Sequence, residues 1–117
     1  MKKPLEVVFC GDSIYLSGLA ACLQSEANFR IITIERSLEQ TGNDLKILHP
    51  EVVVFESDQE TWRFATGLIG DYPKLRLIGV NPVTETLEVH SVNGIIRYPI
   101  NDLPRIIADM GVEILKE

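Results

Sequence analysis

Cysteine is scarce: the 117 residues contain two, Cys10 and Cys22. Two thiols cannot build the disulfide framework that holds small secreted domains together. The expectation is a reducing, cytoplasmic setting, with both thiols buried as small apolar side chains. Basic residues are also few, 11 against 17 acidic, for a formal net charge of −6. Non-specific nucleic-acid binding needs a basic surface, and so does electrostatic attachment to an anionic membrane. Neither nucleic acid nor membrane is therefore expected as a partner. No apolar run approaches the ~18 residues of a spanning helix. The start, Met1-Lys2-Lys3-Pro4, has positive charge but no long apolar stretch behind it, so no signal peptide is expected. His49 and His90 lie far apart with no ligand cluster around either, so no metal site is expected. Gly11 and Gly18 do not fit a Gly-x-Gly-x-x-Gly pattern, so no nucleotide cofactor is expected either. Repeats, low-complexity stretches and linkers are absent from the sequence.

What is present is a domain's worth of apolar residues. Hydrophobic side chains make up 45% of the sequence, enough for one self-sufficient core spanning 1–117. Leu5-Glu6-Val7-Val8-Phe9-Cys10 is a short apolar run closed by Gly11-Asp12-Ser13, the pattern of a buried strand and turn. Ser13 is placed to cap a helix whose apolar positions are Tyr15, Leu19, Ala20 (or Leu16) and Leu23. Phe29-Arg30-Ile31-Ile32-Thr33-Ile34 is rich in β-branched residues and reads as a second strand. Ser37 is a candidate cap for a helix bearing Leu38, Leu45 and Leu48, weakened by Gly42 and ended by His49-Pro50. Val52-Val53-Val54-Phe55 is unbroken apolar sequence, as a strand buried on both faces requires.

Trp62, Ala65, Leu68 and Ile69 form the stripe of a third helix, stopped by Asp71-Tyr72-Pro73. Leu75-Arg76-Leu77-Ile78-Gly79-Val80 reads as the fourth strand, and Asn81-Pro82 as a turn. The segment 83–91 reads as a short helix or a loop. Gly94-Ile95-Ile96-Arg97-Tyr98 reads as the fifth strand. A final helix carries Leu103, Ile106, Ile107, Met110 and Ile114 on one face, with Asn101 or Asp102 as cap and Pro104 in its first turn. Alternating strands and helices predict an α/β fold. The expected architecture is a flavodoxin-like doubly wound sheet of five parallel strands, order 2-1-3-4-5, with about five helices and a shortened fourth.

Four fragments carry a resemblance. Val7 to Leu23 includes Ser17-Gly18-Leu19, similar to a frequent Glu-Gly-Leu. Pro50-Glu51-Val52-Val53-Val54-Phe55-Glu56 resembles Pro-Asp-Val-Val-Leu-Leu-Asp. Tyr72-Pro73-Lys74-Leu75-Arg76-Leu77-Ile78 is similar to Tyr-Pro-Asp-Leu-Arg-Val-Ile. Asn93-Gly94-Ile95-Ile96-Arg97-Tyr98-Pro99 resembles Asn-Gly-Tyr-Leu-Leu-Lys-Pro. In this order and spacing they resemble the response-regulator receiver family of two-component signalling.

The resemblance implies a pocket whose chemistry has been replaced. Glu56 stands at the family's phosphoacceptor aspartate. The acidic pair that holds magnesium falls on Cys10 and Gly11, with Asp12 one position later. Asn81 replaces the hydroxyl at the end of the fourth strand, and Tyr98 replaces the lysine of the Lys-Pro pair. Magnesium supplies several kcal/mol of charge stabilisation, and the lysine is the other fixed cation. Glutamate also sets its carboxylate ~1.5 Å beyond the reach of aspartate, an offset that near-attack geometry does not tolerate. The expectation is a degenerate pocket of Glu56, Asp12, Asn81 and Tyr98 with no catalytic residue, metal or cofactor. Glu56 reads either as a constitutive imitation of a phosphorylated side chain or as a solvated carboxylate. Tyr98 reads either as a hydrogen-bond donor to Glu56 or as a ring capping the sheet.

The implied function is signalling through contact with a protein partner, a homodimer among the options, rather than an enzyme. The alternative is a phosphoryl-carrying or hydrolytic enzyme. Cys10-Gly11-Asp12-Ser13 superficially resembles the phosphocysteine loop of sugar-phosphotransferase carrier domains, where a helix N-terminus lowers a thiol pKa. Bulky Ile14, Tyr15 and Leu16 stand where such a loop wants small residues. The exposure and acidity of Cys10 discriminate the two readings.

Overall fold

The structure, a computed structural model, describes residues 4–25, 29–36, 38–57, 59–72, 75–91 and 94–116, with side chains described except at 43, 59–61, 69, 91 and 110–116. Strand β1 (Leu5–Cys10) leads into α1 (Ile14–Gln24). Then come β2 (Phe29–Ile34), α2 (Gly42–Leu48), β3 (Val52–Glu56), α3 (Gln59–Asp71) and β4 (Arg76–Asn81). Two further strands, β5 (Thr86–Ser91) and β6 (Gly94–Pro99), precede a 3-10 turn (Ile100–Asp102) and α4 (Leu103–Lys116). Among the described residues no helix is long and apolar enough to cross a membrane.

The sheet corrects the expected architecture. The described residues form six strands in the order β2-β1-β3-β4-β5-β6. The first four are mutually parallel, but β4–β5 and β5–β6 pair antiparallel. The described residues form four α-helices, not five. The segment expected as a short helix or loop holds β5 instead. Its residues explain why: Thr86 and Val89 favour a strand, and Leu87 is fully buried from the sheet. A parallel crossover needs about a dozen residues or more, which the stretch between β4 and the Gly94 strand cannot supply after its turns. An antiparallel hairpin needs only a short loop. Asn81 closes that loop, its Oδ1 accepting from the backbone N–H groups of Val83 (3.0 Å) and Thr84 (3.2 Å).

Helices cover both faces. Residues Val7, Phe9, Val52, Val54, Ile78, Val80 and Leu87 pack with α1 and α4 on one face. Val8, Cys10, Val53, Phe55 and Leu77 pack with α2 and α3 on the other. Such two-sided burial is why β3 reads as unbroken Val-Val-Val-Phe. Glu51 ties the opposite end of the sheet together. Its carboxylate accepts from Glu6 N (2.8 Å), its N–H donates to Glu6 O (3.2 Å) and its carbonyl accepts from Arg76 N (3.1 Å).

Local signals mostly act as the residue types suggest. The Ser13 hydroxyl caps α1, accepting from Tyr15 N (3.1 Å) and Leu16 N (3.5 Å). Leu16, Ala20 and Leu23 are its buried stripe, with Tyr15 and Leu19 at the margin. Helix α2 starts later than expected, with Thr41 as N-cap, and Leu38 lies in the turn before it. Ser37 lies outside the described residues, as do Pro73 and Asn93 and the side chains of Ile69, Met110 and Ile114. His49 ends α2 in the left-handed region, φ 49°. Cys22 is exposed, not buried: it falls outside the apolar stripe of α1.

Candidate functional site

A parallel sheet opens at its C-terminal edge where successive crossovers leave on opposite faces. That switch lies between β1 and β3, because α1 packs on one face while α2 and α3 pack on the other. A cleft of about 470 Å³ occupies this point. Its walls are the turn after β1, the segment after β2 and the end of β3.

Gly11 makes the first wall possible. It adopts φ +135°, and a Cβ there would stand 2.9 Å from Leu16 Cδ1. Its N–H donates to Ile34 O at 2.9 Å, holding the turn against the end of β2. The turn brings Asp12 to the cleft, and β3 delivers Glu56 to the same space. Glu35 adds a third carboxylate to the lining. The cation at the rim, Arg36, forms an ion pair with Asp44 of α2. Three carboxylates therefore border one cleft. Among the described residues, however, no three His, Cys, Asp or Glu side chains converge as a metal site.

Cys10 also borders the cleft, but only 2% of it is accessible. Burial pushes its thiol up to about 11, against a smaller opposing pull from a hydrogen bond with Thr41; the Asp44 carboxylate adds to the rise. A thiol held this way is protonated at neutral pH and is a poor nucleophile.

The structure brings together two of the four expected pocket residues, Glu56 and Asp12. Asn81 spends its side-chain oxygen on the β4–β5 turn. Tyr98 sits on β6 opposite Leu87 and packs against the α1/α4 core. With β4 and β5 between β3 and β6, Tyr98 is three strand intervals from Glu56, roughly 14 Å at 4.7–4.9 Å per interval. That spacing exceeds the span of a direct hydrogen bond from the ring. Arg97 points to the opposite face from Tyr98, across from Glu88.

A second constellation escaped the sequence reading. The ring of Trp62 lies against β4 and β5: edge-on to Phe55, with centroids 4.9 Å apart, and stacked on His90. Gly79 leaves the space, since a Cβ there would stand 2.5 Å from Trp62 Cζ2. His90 is buried, and its Nε2 has no hydrogen-bond partner among the described residues. Among the described residues, the carboxylate oxygen paired with it, Glu88 Oε2, is 3.9 Å away, too far for a hydrogen bond. Burial, aided by the Arg97 charge, lowers the imidazole to about 4. The available signal was Gly79: a glycine inside an apolar strand often marks close approach by another group.

No protein-family model matches the chain, and no curated protein and no solved structure shows significant similarity to it. The likeness to receivers therefore rests on the quoted fragments.

Proposed function

We propose that this chain is a regulatory domain acting by protein–protein contact, resembling a receiver in its parallel half and carrying out no phosphotransfer. The observation that supports this most is the position of β5. By running antiparallel between β4 and β6, it moves Tyr98 away from the strand that ends on Glu56. The position that would sense charge at the head of β3 is thus uncoupled from it. Phosphoryl transfer depends almost wholly on positioning and charge neutralisation. At the cleft, carboxylates from Asp12, Glu35 and Glu56 meet one arginine already paired with Asp44. An incoming phosphoryl group would add negative charge there. Both cysteines are free, which fits a reducing cytoplasm.

The test is intact-mass spectrometry after incubation with a small acyl-phosphate or phosphoramidate and magnesium. Wild type, Glu56→Gln and Cys10→Ser are compared. The expected result is no adduct on any of them. An adduct on wild type that vanishes in Glu56→Gln would sink the proposal, and one that vanishes only in Cys10→Ser would establish a phosphocysteine carrier instead.

A further inference from the structure

Among the described residues the sheet ends on β6, and no strand pairs with its outer edge. Ile95 and Ile96 are 56% and 59% exposed on adjacent positions of this strand. The opposite edge, β2, contributes no such residue: its isoleucines are all partly buried. An unpaired strand with exposed apolar side chains is a template for another strand.

The backbone shows which groups are unpaired. Ile100 N donates to Glu85 O at 3.1 Å, which makes Glu85 and Ile100 a hydrogen-bonded pair. In an antiparallel ladder such pairs alternate. Tyr98 and Ile96 therefore bond inward to Leu87 and Val89, while Ile95, Arg97 and Pro99 present their backbone groups outward. Proline has no N–H, so the outward row offers donors only at Ile95 and Arg97 and stops at Pro99.

We propose that a second copy of this chain pairs on β6, antiparallel, about a two-fold axis through Ile96. This deepens the interaction-domain reading by naming one partner. The register follows from the outward groups. Setting Ile95 opposite Arg97 of the second copy, and the reverse, lets both residues exchange both backbone hydrogen bonds, whereas an axis at Ile95 would pair only Ile95 with its counterpart among the described outward positions. Ile96 then faces its own counterpart as a non-hydrogen-bonded pair, where side chains come closest. Shifting the axis to Arg97 would set two guanidinium groups directly opposite, a destabilising arrangement, and would place Ile95 against donor-less Pro99. In the Ile96 register the two Arg97 side chains are only diagonal neighbours, and each faces Glu88 of its own β5.

Charge also favours this edge. The chain carries −6, so two copies repel on average and a surface free of carboxylates is favoured for their contact. The β6 strand has no carboxylate and one cation. Ile96 shares a face with Tyr98 and Val89, the side covered by α4. A two-fold axis perpendicular to the sheet keeps that face continuous and buries Ile96 against Ile96.

Sedimentation velocity over a concentration series tests the pairing. Wild type should shift from monomer to dimer as concentration rises, and Ile96→Lys should abolish the shift while keeping its circular dichroism spectrum. Cysteine crosslinking tests the register in a Cys22→Ser background, because Cys22 is exposed. Under mild oxidation Ile96→Cys should give a covalent dimer. Its Cα separation would be about 4.5 Å, inside the disulfide range. Ile95→Cys should not, because the two copies of that position would stand roughly 7–8 Å apart on the diagonal. A wild type that stays monomeric at ~1 mM, far above the Kd of specific interfaces, overturns the proposal. So does a dimer untouched by Ile96→Lys, or crosslinking at Ile95→Cys as fast as at Ile96→Cys. A monomer that also takes no phosphoryl adduct would leave the regulatory reading standing and remove only this partner.

Discussion

Trp62 lies flat on His90, with ring centroids 3.3 Å apart and planes inclined by 18°. The stack joins the first turn of α3 to β5, the strand that replaces the expected fourth helix. It also holds a titratable ring in an apolar setting. The unfolded chain binds a proton on His90 near pH 6.5, whereas the folded chain does so near 4. The unfolded state therefore takes up more protons in that window, and stability falls as pH drops from about 6.5 toward about 4. The ceiling is ~3 kcal/mol at ~1.4 kcal/mol per unit, and the Glu88 charge nearby works against it. Urea unfolding at pH 7.5 and pH 5 measures the effect. Wild type should lose more stability than His90→Gln, and equal losses would refute the assignment.

Gly79→Ala tests the same packing from the other side. A Cβ at Gly79 would meet Trp62 Cζ2 at 2.5 Å and Ser57 Cβ at 3.1 Å. The ring has to move, and overpacking of this kind costs typically ~1–3 kcal/mol. Thermal melting should show the loss, and Trp62 fluorescence should shift red as the indole becomes wetter. An unchanged spectrum would show that the ring does not rest on β4.

The two thiols should differ sharply in reactivity. Cys22 is exposed, and Cys10 is buried with its thiol at about 11. Titration of the native protein with an aromatic disulfide at pH 8 should release one equivalent quickly, from Cys22. The second should appear only in denaturant. Rapid release of two would place Cys10 in solvent and reopen the nucleophile reading.

Ile106 and Ile107 of α4 are 5% and 0% exposed, in the same core as Val7 and Val54. Ile106→Ala should cost ~2–5 kcal/mol, read as a lower denaturant midpoint with an unchanged slope. A loss under about 0.5 kcal/mol, the range of surface substitutions, would mean that α4 is peripheral.

How much was legible follows from how completely each strand is buried. Val52, Val53, Val54 and Phe55 sit between two helical layers, so burial on both faces writes an unbroken apolar run. β1 and β4 announce themselves in the same way. β5 is different: Thr86, Glu88 and His90 alternate with Leu87 and Val89, the period-two pattern of a half-buried strand, a signal that the expectation of a shortened fourth helix overrode. That one strand displaced everything after it. The placement of Glu56 and Asp12 at one cleft could be read from strand ends. The separation of Tyr98 from Glu56 could not, because it depends on the neighbour that β6 chooses. Cys22 was misplaced for a simpler reason: a small side chain on a helix carries little signal of which way it faces.

The order of strand pairing bears on how the chain reaches its native state. In β4, β5 and β6 each strand pairs with the next in sequence, whereas β1 must find β3 across the whole β2–α2 stretch, as in the Glu6–Glu51 contact. Closing a short loop costs less entropy than closing a long one, and local pairings form sooner. The C-terminal meander is therefore expected to gain amide protection first in a pulsed hydrogen-exchange refolding experiment, and β1 last. Simultaneous protection of Val8 and Val89 would contradict that order. If the order holds, β1 can pair with β2 early, but its other edge stays open until β3 emerges from the ribosome, and that edge of Leu5-Glu6-Val7-Val8-Phe9-Cys10 is exposed to misassociation during synthesis.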